Sequence, residues 1–450
     1  MKMKFAVLHK SDLNIVFPDD TYVFRIDATG FSEIFSSLYD LWRRICSDCI
    51  PLVYEDLFVF GLSIFAIDKR MGRNLSKDNW TREISVQLPV HNTVLWNNTI
   101  PLLNTMLSFL TGDKWDVQFY ETGEKYSIQP IKHYKHIDAT KYQSVCLFSG
   151  GLDSLCGAIK LVEEGQSLIL LGHNEYPKLR EKQHHMADVI ENHYEGQSIR
   201  FFDFSANARA PFRPDGYLNS SENTCRSRSL LFLTAAVSIA GIIGEGTKVY
   251  IPENGFISIN VPLTASRQGS CSTRTTHPYF LSCFSQLLQM LSIKHEIVNP
   301  FQFLTKREVV ETVQNTATFQ ELYPLTISCS HPCNGRWKRL SSPSNCGYCY
   351  PCLIRKASLI GLDSDSTTYN PFKYSSIEEL LATSAISASD IKALIAALHR
   401  YKGCNDNMLL RLIRATGPVS EENINKLLRV YKSTMEDVSQ LLLKEIGYSE

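Results

Sequence analysis

The sequence predicts an α/β protein whose central part is a mostly parallel sheet with helices on both faces. From residue 142 onward, short apolar runs alternate with helix-like segments, which is the pattern of βα units. A glycine turn joins the first of these strands to the first helix. The length of 450 residues exceeds one ordinary core and indicates two or three domains.

The central elements follow one another in regular order. The expected strands cover residues 144–148, 167–172, 199–204, 248–253 and 295–300. The expected helices cover residues 153–164, 181–194, 228–244, 278–291 and 305–315. Ligands of such sheets bind at the carboxyl ends of strands, near the point where the strand order reverses.

The segments on either side of the central part have different patterns. Residues 1–138 contain short β-type runs and two helical stretches, and predict an N-terminal α+β domain without a chemical motif. Residues 139–372 form the predicted core domain, with a cysteine-rich segment near its end. Residues 373–450 predict a C-terminal helical region.

Charge and cysteine content exclude several classes of protein. Lysine plus arginine and aspartate plus glutamate both number 46, so nucleic-acid binding is not indicated. The chain has no uncharged apolar run of 18 residues, and we expect no membrane span. Thirteen cysteines, an odd number without a secretory signal, argue against a disulfide framework, and we expect a cytoplasmic protein.

The turn after the first central strand carries the strongest signal for chemistry. It consists of Ser149, Gly150, Gly151, Leu152, Asp153 and Ser154. The glycines and the free N–H groups of the following helix predict a site for an anion such as pyrophosphate, to which the two serines add hydroxyl donors. Asp153 would repel that anion unless Mg²⁺ lies between them or the carboxylate orients the loop. The alternative is an ordinary turn that Asp153 caps.

The cysteines near residue 350 predict a metal site. Cys346, Cys349 and Cys352 recur at every third position, and tetrahedral Zn²⁺ would need one more ligand from upstream. We favour Cys329, with Cys333 and His331 as alternatives. An iron–sulfur cluster and buried free thiols also remain open.

The S-G-G-L-D-S turn resembles the pyrophosphate loop of the PP-loop ATP pyrophosphatases, which have a Rossmann-like, adenine nucleotide alpha hydrolase-like fold. The turn followed by the cysteine segment also resembles the 7-cyano-7-deazaguanine synthase (QueC) family. The match covers roughly residues 142–362. This resemblance implies cleavage of ATP between its α and β phosphates, adenylation of a 7-carboxy-7-deazaguanine carboxylate, formation of an amide or nitrile, and a structural zinc.

The resemblance also implies roles for residues outside the turn. Arg228 begins a segment like the family's R-N-x-x-F-L helix, although Ser229 stands where asparagine is usual, and Lys306 lies in a segment like the family's sheet edge. Both would neutralise phosphate charge, and Asp153, Ser154, Arg228 and Lys306 form the predicted catalytic set. His173 ends the second strand, where adenine or substrate is expected.

The expected substrate contacts come from two stretches. Glu253 ends the fourth expected strand and Asn254 follows it, in a segment that resembles the family's glycine/asparagine strand end. Arg274, Thr275 and His277 replace the family's tyrosine-proline-aspartate segment and are candidates to recognise a purine-like base or its carboxylate.

The flanking segments distinguish this chain from a minimal synthase of that family. Enlarged QueC-like proteins with this layout resemble those of bacterial antiphage islands, including the QatC-type proteins of Qat systems. The resemblance implies a protein partner, held by the N- or C-terminal region, whose amine replaces ammonia as acceptor. The alternatives are an RNA-thiolating PP-loop enzyme and a non-catalytic zinc protein that senses nucleotide.

Overall fold

The computed structural model describes residues 2–12, 14–27, 32–45, 50–126, 136–174, 176–222, 224, 226–262, 274–333, 343–362, 364–370, 374, 376–383 and 388–447. Its strands are β1 (Lys2–His9), β2 (Thr21–Ile26), β3 (Ile34–Ser36), β4 (Glu83–Val90), β5 (Lys114–Glu121), β6 (Ser144–Leu147), β7 (Leu168–His173), β8 (Ile199–Phe204), β9 (Ala206–Ala208), β10 (Phe212–Arg213), β11 (Gly216–Tyr217), β12 (Lys248–Tyr250) and β13 (Ile297–Val298).

Helices surround both sheets and form the C-terminal region. They are α1 (Leu38–Ile45), α2 (Leu52–Arg70), α3 (Thr93–Asn97), α4 (Ile100–Thr111), α5 (Leu152–Glu163), α6 (Pro177–His193), α7 (Arg228–Ile243), α8 (Gly255–Ile259), α9 (Pro278–Met290), α10 (Lys306–Glu311), α11 (Ala317–Leu322), α12 (Tyr350–Ser358), α13 (Ile377–Leu381), α14 (Ser389–Lys402), α15 (Asp406–Arg414) and α16 (Glu421–Ile446). Within the described ranges, no helix is long and apolar enough to cross a bilayer.

The central sheet is parallel throughout, with the strand order β13-β12-β6-β7-β8. Successive side chains of a strand point to opposite faces, and β6 shows this directly. Val145 and Leu147 pack with α7 in one core, whereas Cys146 and Phe148 pack with α5 and α6 in another. The predicted parallel sheet with helices on both faces is confirmed.

The N-terminal sheet differs from the expected α+β pattern. Its longer strands lie in the order β2-β1-β4-β5 and pair in parallel. The short strands β9, β10 and β11, from residues 206–217, join the same sheet by antiparallel pairing. Residues from two separate parts of the chain therefore build this sheet.

Helix α2 joins the two sheets into one hydrophobic core. Every residue from Glu55 to Asp68 is buried, and one cluster of buried side chains includes strands β1 and β4, helices α2 and α7, and β6. The close approach of α2 and α7 depends on Gly61, where an added Cβ would lie 2.2 Å from the hydroxyl oxygen of Thr234. The helical C-terminal region is confirmed, and α16 packs against α8, α12 and α15.

Candidate nucleotide site and metal centre

The turn between β6 and α5 lies at the switch point of the central sheet. In the order β13-β12-β6-β7-β8, the next strands along the chain, β7 and β8, lie on one side of β6. The later strands β12 and β13 lie on its other side. The crevice between the carboxyl ends of β6 and β12 is therefore where a parallel sheet of this kind binds its ligand.

The local geometry of the turn depends on its glycines and serines. Gly150 has φ +82°, and a Cβ there would lie 3.1 Å from Cγ of Gln183, so only glycine fits without strain. The hydroxyl of Ser149 accepts the N–H of Gly151 at 3.3 Å and donates to Ser154 Oγ at 3.2 Å. Ser154 in turn donates to the carbonyl of Gly151 at 2.9 Å. The exposed Ser149 and the start of α5 thus face the crevice with polar groups.

Asp153 is the centre of a buried polar cluster behind the turn. Its Oδ1 accepts a hydrogen bond from Lys306 Nζ at 2.5 Å, and its Oδ2 accepts one from Asn254 Nδ2 at 2.7 Å. Burial alone would raise the pKa of Asp153, but the ammonium of Lys306 and the hydrogen bonds from Lys306 and Asn254 keep it below its ordinary value. Both carboxylate oxygens are engaged, so the geometry favours orientation of the loop over coordination of Mg²⁺.

Glu253 completes this cluster from the end of β12. Its backbone N–H donates to Asn299 Oδ1 at 3.2 Å, and Asn299 Nδ2 donates to its carbonyl at 2.9 Å. Burial and then the nearby carboxylate of Asp153 raise the pKa of Glu253 to about 8, although Lys306 opposes the shift. Of these two neighbouring carboxyl groups, Asp153 therefore stays ionised to lower pH than Glu253.

Two adjoining cavities open beside the turn. The larger, of about 610 Å³, is lined by the turn, by Arg228 at the start of α7, by Lys306 and by residues 327–330. The smaller, of about 210 Å³, has walls of Leu147, Phe232 and Ile251. Ser149, Ser154, Arg228, Glu253 and Leu179 border both. Together the two cavities have the size of a small-molecule binding site.

Most of the predicted site residues meet at these cavities. The larger cavity is lined by Gly151, Leu152, Asp153 and Cys329, in addition to the residues that border both cavities. The smaller cavity is lined by His173. The centroid of the His173 ring lies 6.3, 5.1 and 6.4 Å from the ring centroids of Phe65, Phe204 and Phe232, respectively. Gly150 and Asn254 support the site from behind, through the turn and through Asp153.

The stretch Arg274–His277 is divided. Thr275 lines the smaller cavity and forms a hydrogen bond with the hydroxyl of Ser229. The side chains of Arg274 and His277 line neither cavity. Arg274 donates to the carbonyl of Phe109 at 2.9 Å, and its guanidinium lies 4.8 Å from the centroid of that ring. His277 is buried, caps α9 and bonds Thr416 Oγ1 at 3.1 Å. These contacts indicate structural roles for Arg274 and His277 instead of the expected substrate contacts.

The four predicted metal ligands form one cluster. The Sγ atoms of Cys329, Cys346, Cys349 and Cys352 all lie within 4.8 Å of one another. Two of these pairs are 3.8 and 3.9 Å apart, close to the separation of about 3.8 Å between sulfurs on one tetrahedral ion with Zn–S bonds of about 2.3 Å. The cluster can therefore hold a metal ion such as zinc, and Cys333 borders the larger cavity instead.

Backbone N–H groups also suit thiolate ligands. The N–H of His331 donates to Cys329 Sγ at 3.2 Å, and that of Ser330 donates to Cys349 Sγ at 3.5 Å. The N–H of Cys349 donates to Cys346 Sγ at 3.3 Å. Such donors stabilise negative sulfur, so the donor set fits a thiolate-bound cation.

The metal centre connects directly to the turn. The N–H of Ile327 donates to the carbonyl of Gly150 at 3.0 Å. Asn345 accepts the N–H of Ser328 at 2.9 Å and donates to the carbonyl of Thr326 at 2.9 Å. The segment 326–329 therefore links the cysteine cluster to the glycine turn, a connection that the sequence did not predict because 180 residues separate the two along the chain.

Three cysteines outside the cluster offer little nucleophilic chemistry. Cys146, Cys156 and Cys283 are buried, and burial raises the pKa of each thiol. Cys225, Cys271 and the stretch 336–339 lie outside the described residues.

Comparison with protein-family models gave no match, and comparison with curated proteins gave none. Neither comparison assigns this chain to a family. The resemblance of the glycine turn and the cysteine segment stays a prediction, and the function rests on the geometry of the site.

Proposed function

We propose that this chain binds ATP at the switch point and transfers its adenylyl group to a carboxylate, with release of pyrophosphate. The observation that carries the proposal is the coincidence of the left-handed glycine turn, the start of α5 and two cationic side chains in one crevice. The backbone N–H groups and hydroxyls of the turn bind the β and γ phosphates. Arg228 and Lys306 stabilise the charge that develops as the bond between the α and β phosphates breaks.

Asp153 acts through Lys306 in this proposal. The ion pair fixes the ammonium at the edge of the larger cavity, and Asn254 fixes the carboxylate. Mg²⁺ accompanies the ATP phosphates as a counterion and adds charge neutralisation. The reaction needs no covalent enzyme intermediate, because alignment of the carboxylate with the α phosphate supplies most of the rate.

The smaller cavity holds a flat heterocycle. Its apolar walls suit a ring system, while His173 and the hydroxyl pair of Thr275 and Ser229 supply polar edges. Together with the resemblance to 7-cyano-7-deazaguanine synthases, this favours a 7-carboxy-7-deazaguanine-type substrate. The acceptor is ammonia, giving an amide or nitrile, or an amine of a partner protein in an antiphage system.

The metal is Zn²⁺ with a structural role. Four thiolates fill a tetrahedral shell and leave no position for substrate. The ligating sulfurs of an iron–sulfur cluster bind different iron atoms and lie further apart, so the observed spacing favours a single ion.

The products of ATP hydrolysis test the proposal. Purified protein with ATP, Mg²⁺ and 7-carboxy-7-deazaguanine is expected to release AMP and pyrophosphate. Arg228→Gln is expected to lower kcat roughly 10²-fold, because it removes a charge needed mainly in the transition state. Arg200→Gln, an exposed arginine paired with Glu191, is the matched control. ADP and phosphate as products would contradict adenylyl transfer.

Sulfur transfer to RNA is a second candidate because Cys333 borders the larger cavity next to the turn. It shares activation by adenylation, but the activated oxygen belongs to an RNA base and the nucleophile is sulfur. Adenylation that depends on a small carboxylic acid and proceeds in the absence of RNA would exclude sulfur transfer to RNA. ATP binding without turnover on either substrate would favour the non-catalytic alternative.

A further inference from the structure

Glu253 occupies a position between the two cavities that adenylation alone does not explain. It lies just past β12, across the switch point from the glycine turn, and borders both cavities. The two hydrogen bonds with Asn299 fix its backbone. A ring in the smaller cavity and a phosphate in the larger one would place the reacting carboxyl group beside this side chain.

The surroundings of Glu253 suit a group that gains and loses a proton. The carboxylate of Asp153 raises the pKa of Glu253, the ammonium of Lys306 lowers it, and Asn254 fixes the orientation of Asp153. Arg228 lines the same cavities. A carboxyl that is only partly buried can exchange its proton with a bound nucleophile, whereas Asp153 is already held by Lys306 and Asn254.

We propose that Glu253 is the general base for the second half of the reaction, in which an amine attacks the acyl adenylate. This inference rests on the proposed function. The nitrogen lone pair forms the C–N bond at the carbonyl carbon, the bond from that carbon to the phosphate oxygen breaks, and AMP leaves with the electron pair. The proton lost by the attacking nitrogen passes to the carboxylate of Glu253.

The proton affinity of Glu253 is matched to this task. Its pKa of about 8 lies close to neutral pH, where a base is both available and strong enough to take a proton from an amine that is gaining positive charge. The adenylation step forms no such proton, because a carboxylate is already an anion when it attacks the α phosphate. Glu253 should therefore affect the second step more than the first.

Glu253→Gln separates the two steps. Carboxylate-dependent exchange of labelled pyrophosphate into ATP, measured with 7-carboxy-7-deazaguanine, reports adenylation and is expected to fall far less than amide formation does. Amide formation from ammonium chloride is expected to fall roughly 10²-fold. Hydroxylamine is uncharged and strongly nucleophilic at neutral pH, so hydroxamate formation should persist. Glu245→Gln, which alters an exposed ion pair with Lys294, is the matched control.

The pH profile gives an independent readout. In the wild-type protein, amide formation should show a bend near pH 8, below which protonation of Glu253 slows it, and Glu253→Gln should lose that bend. Wild-type amide formation in Glu253→Gln, or equal loss of exchange and amide formation, would overturn the inference while leaving adenylation intact in the wild-type protein. Absence of carboxylate-dependent exchange from the wild-type protein itself would contradict the proposed function and this inference with it.

Discussion

At the scale of single residues, His277 is a side chain that was predicted to contact the substrate and that instead packs inside the protein. Its ring lies 5.0 Å from the ring of Phe109, and its Nδ1 accepts the N–H of Tyr279 at the start of α9. Burial, with a smaller contribution from Arg274, lowers the pKa of His277 from 6.5 to about 4. The folded protein therefore holds this imidazole neutral under conditions in which the unfolded chain protonates it.

The substitution His277→Asn is expected to make stability less sensitive to acid. Between pH 6.5 and 4 the unfolded state binds the extra proton, so stability falls as pH falls. For one such histidine the loss from pH 7.5 to pH 5 is about 2 kcal/mol. Asparagine keeps a capping acceptor but has no proton to gain. Urea unfolding at both pH values measures the difference.

The exposed His185 supplies the matched control. His185→Asn should retain the wild-type difference between the two pH values. An unchanged difference in His277→Asn would show that this histidine is not the source of the acid sensitivity.

Individual residues also show what the sequence could and could not predict. The S-G-G-L-D-S spacing was enough to place a turn between β6 and α5, because glycine and a helix start have fixed backbone consequences. The partners of Asp153 come from distant positions, and only the resemblance pointed to Lys306. Local pattern could not show that Arg274 turns to Phe109 while Thr275, the next residue, faces the cavity.

At the scale of elements, the strands were predictable and the most buried helix was not. The apolar runs of β6, β7 and β8 have the length and β-branched or aromatic content of buried strands. Helix α2 is apolar on all sides because it packs between two layers, and it therefore lacks the period of 3.6 residues by which a helix is recognised. The parallel pairing of β1 with β4 depends on residues 81 positions apart.

The position of Cys329 in the segment 326–329 leads to a prediction about the zinc content of two cysteine variants. Cys329→Ser should lower the zinc content well below one ion per chain, whereas Cys333→Ser should retain it, because only Cys329 belongs to the cluster. Loss of the ion should lower the Tm by roughly 10 °C, since a structural zinc contributes several kcal/mol to folding. Metal analysis and thermal unfolding of the two variants make the comparison.

The same prediction extends to the nucleotide site. Because Ile327 bonds the carbonyl of Gly150, the zinc-depleted protein should bind ATP more weakly than the Cys333→Ser protein. Equal zinc content in the two variants, or zinc loss from Cys333→Ser alone, would contradict the assignment of the fourth ligand.

At the scale of the whole molecule, the N-terminal sheet is part of the structure that supports the site. Asp68 at the end of α2 accepts hydrogen bonds from Ser227 Oγ at 2.6 Å and from Arg82 Nη2 at 2.5 Å. Ser227 directly precedes Arg228, so a buried ionic network of the N-terminal segment fixes the start of α7. The helix that presents the proposed catalytic arginine therefore depends on α2 for its position.

Removal of residues 1–138 should abolish cooperative folding of the remainder. The truncation exposes the face of α7 that packs on α2 and removes β3 and β2, with which β9 and β10 pair. An apolar face of that size drives aggregation. Size-exclusion chromatography and thermal unfolding of residues 139–450 test this, and a monodisperse fragment with a sharp transition would contradict the single shared core.

The central claim is that the turn from Ser149 to Ser154 binds the phosphates of ATP, and calorimetric titration of ATP with Mg²⁺ tests it most directly. The wild-type protein and Ser282→Ala, an exposed serine outside the cavities, should bind one ATP per chain with equal affinity. The double variant Ser149→Ala/Ser154→Ala should bind at least about tenfold more weakly, because it lacks two hydroxyl donors to an anion. Equal affinity in the double variant, or no binding by the wild-type protein, would contradict the account.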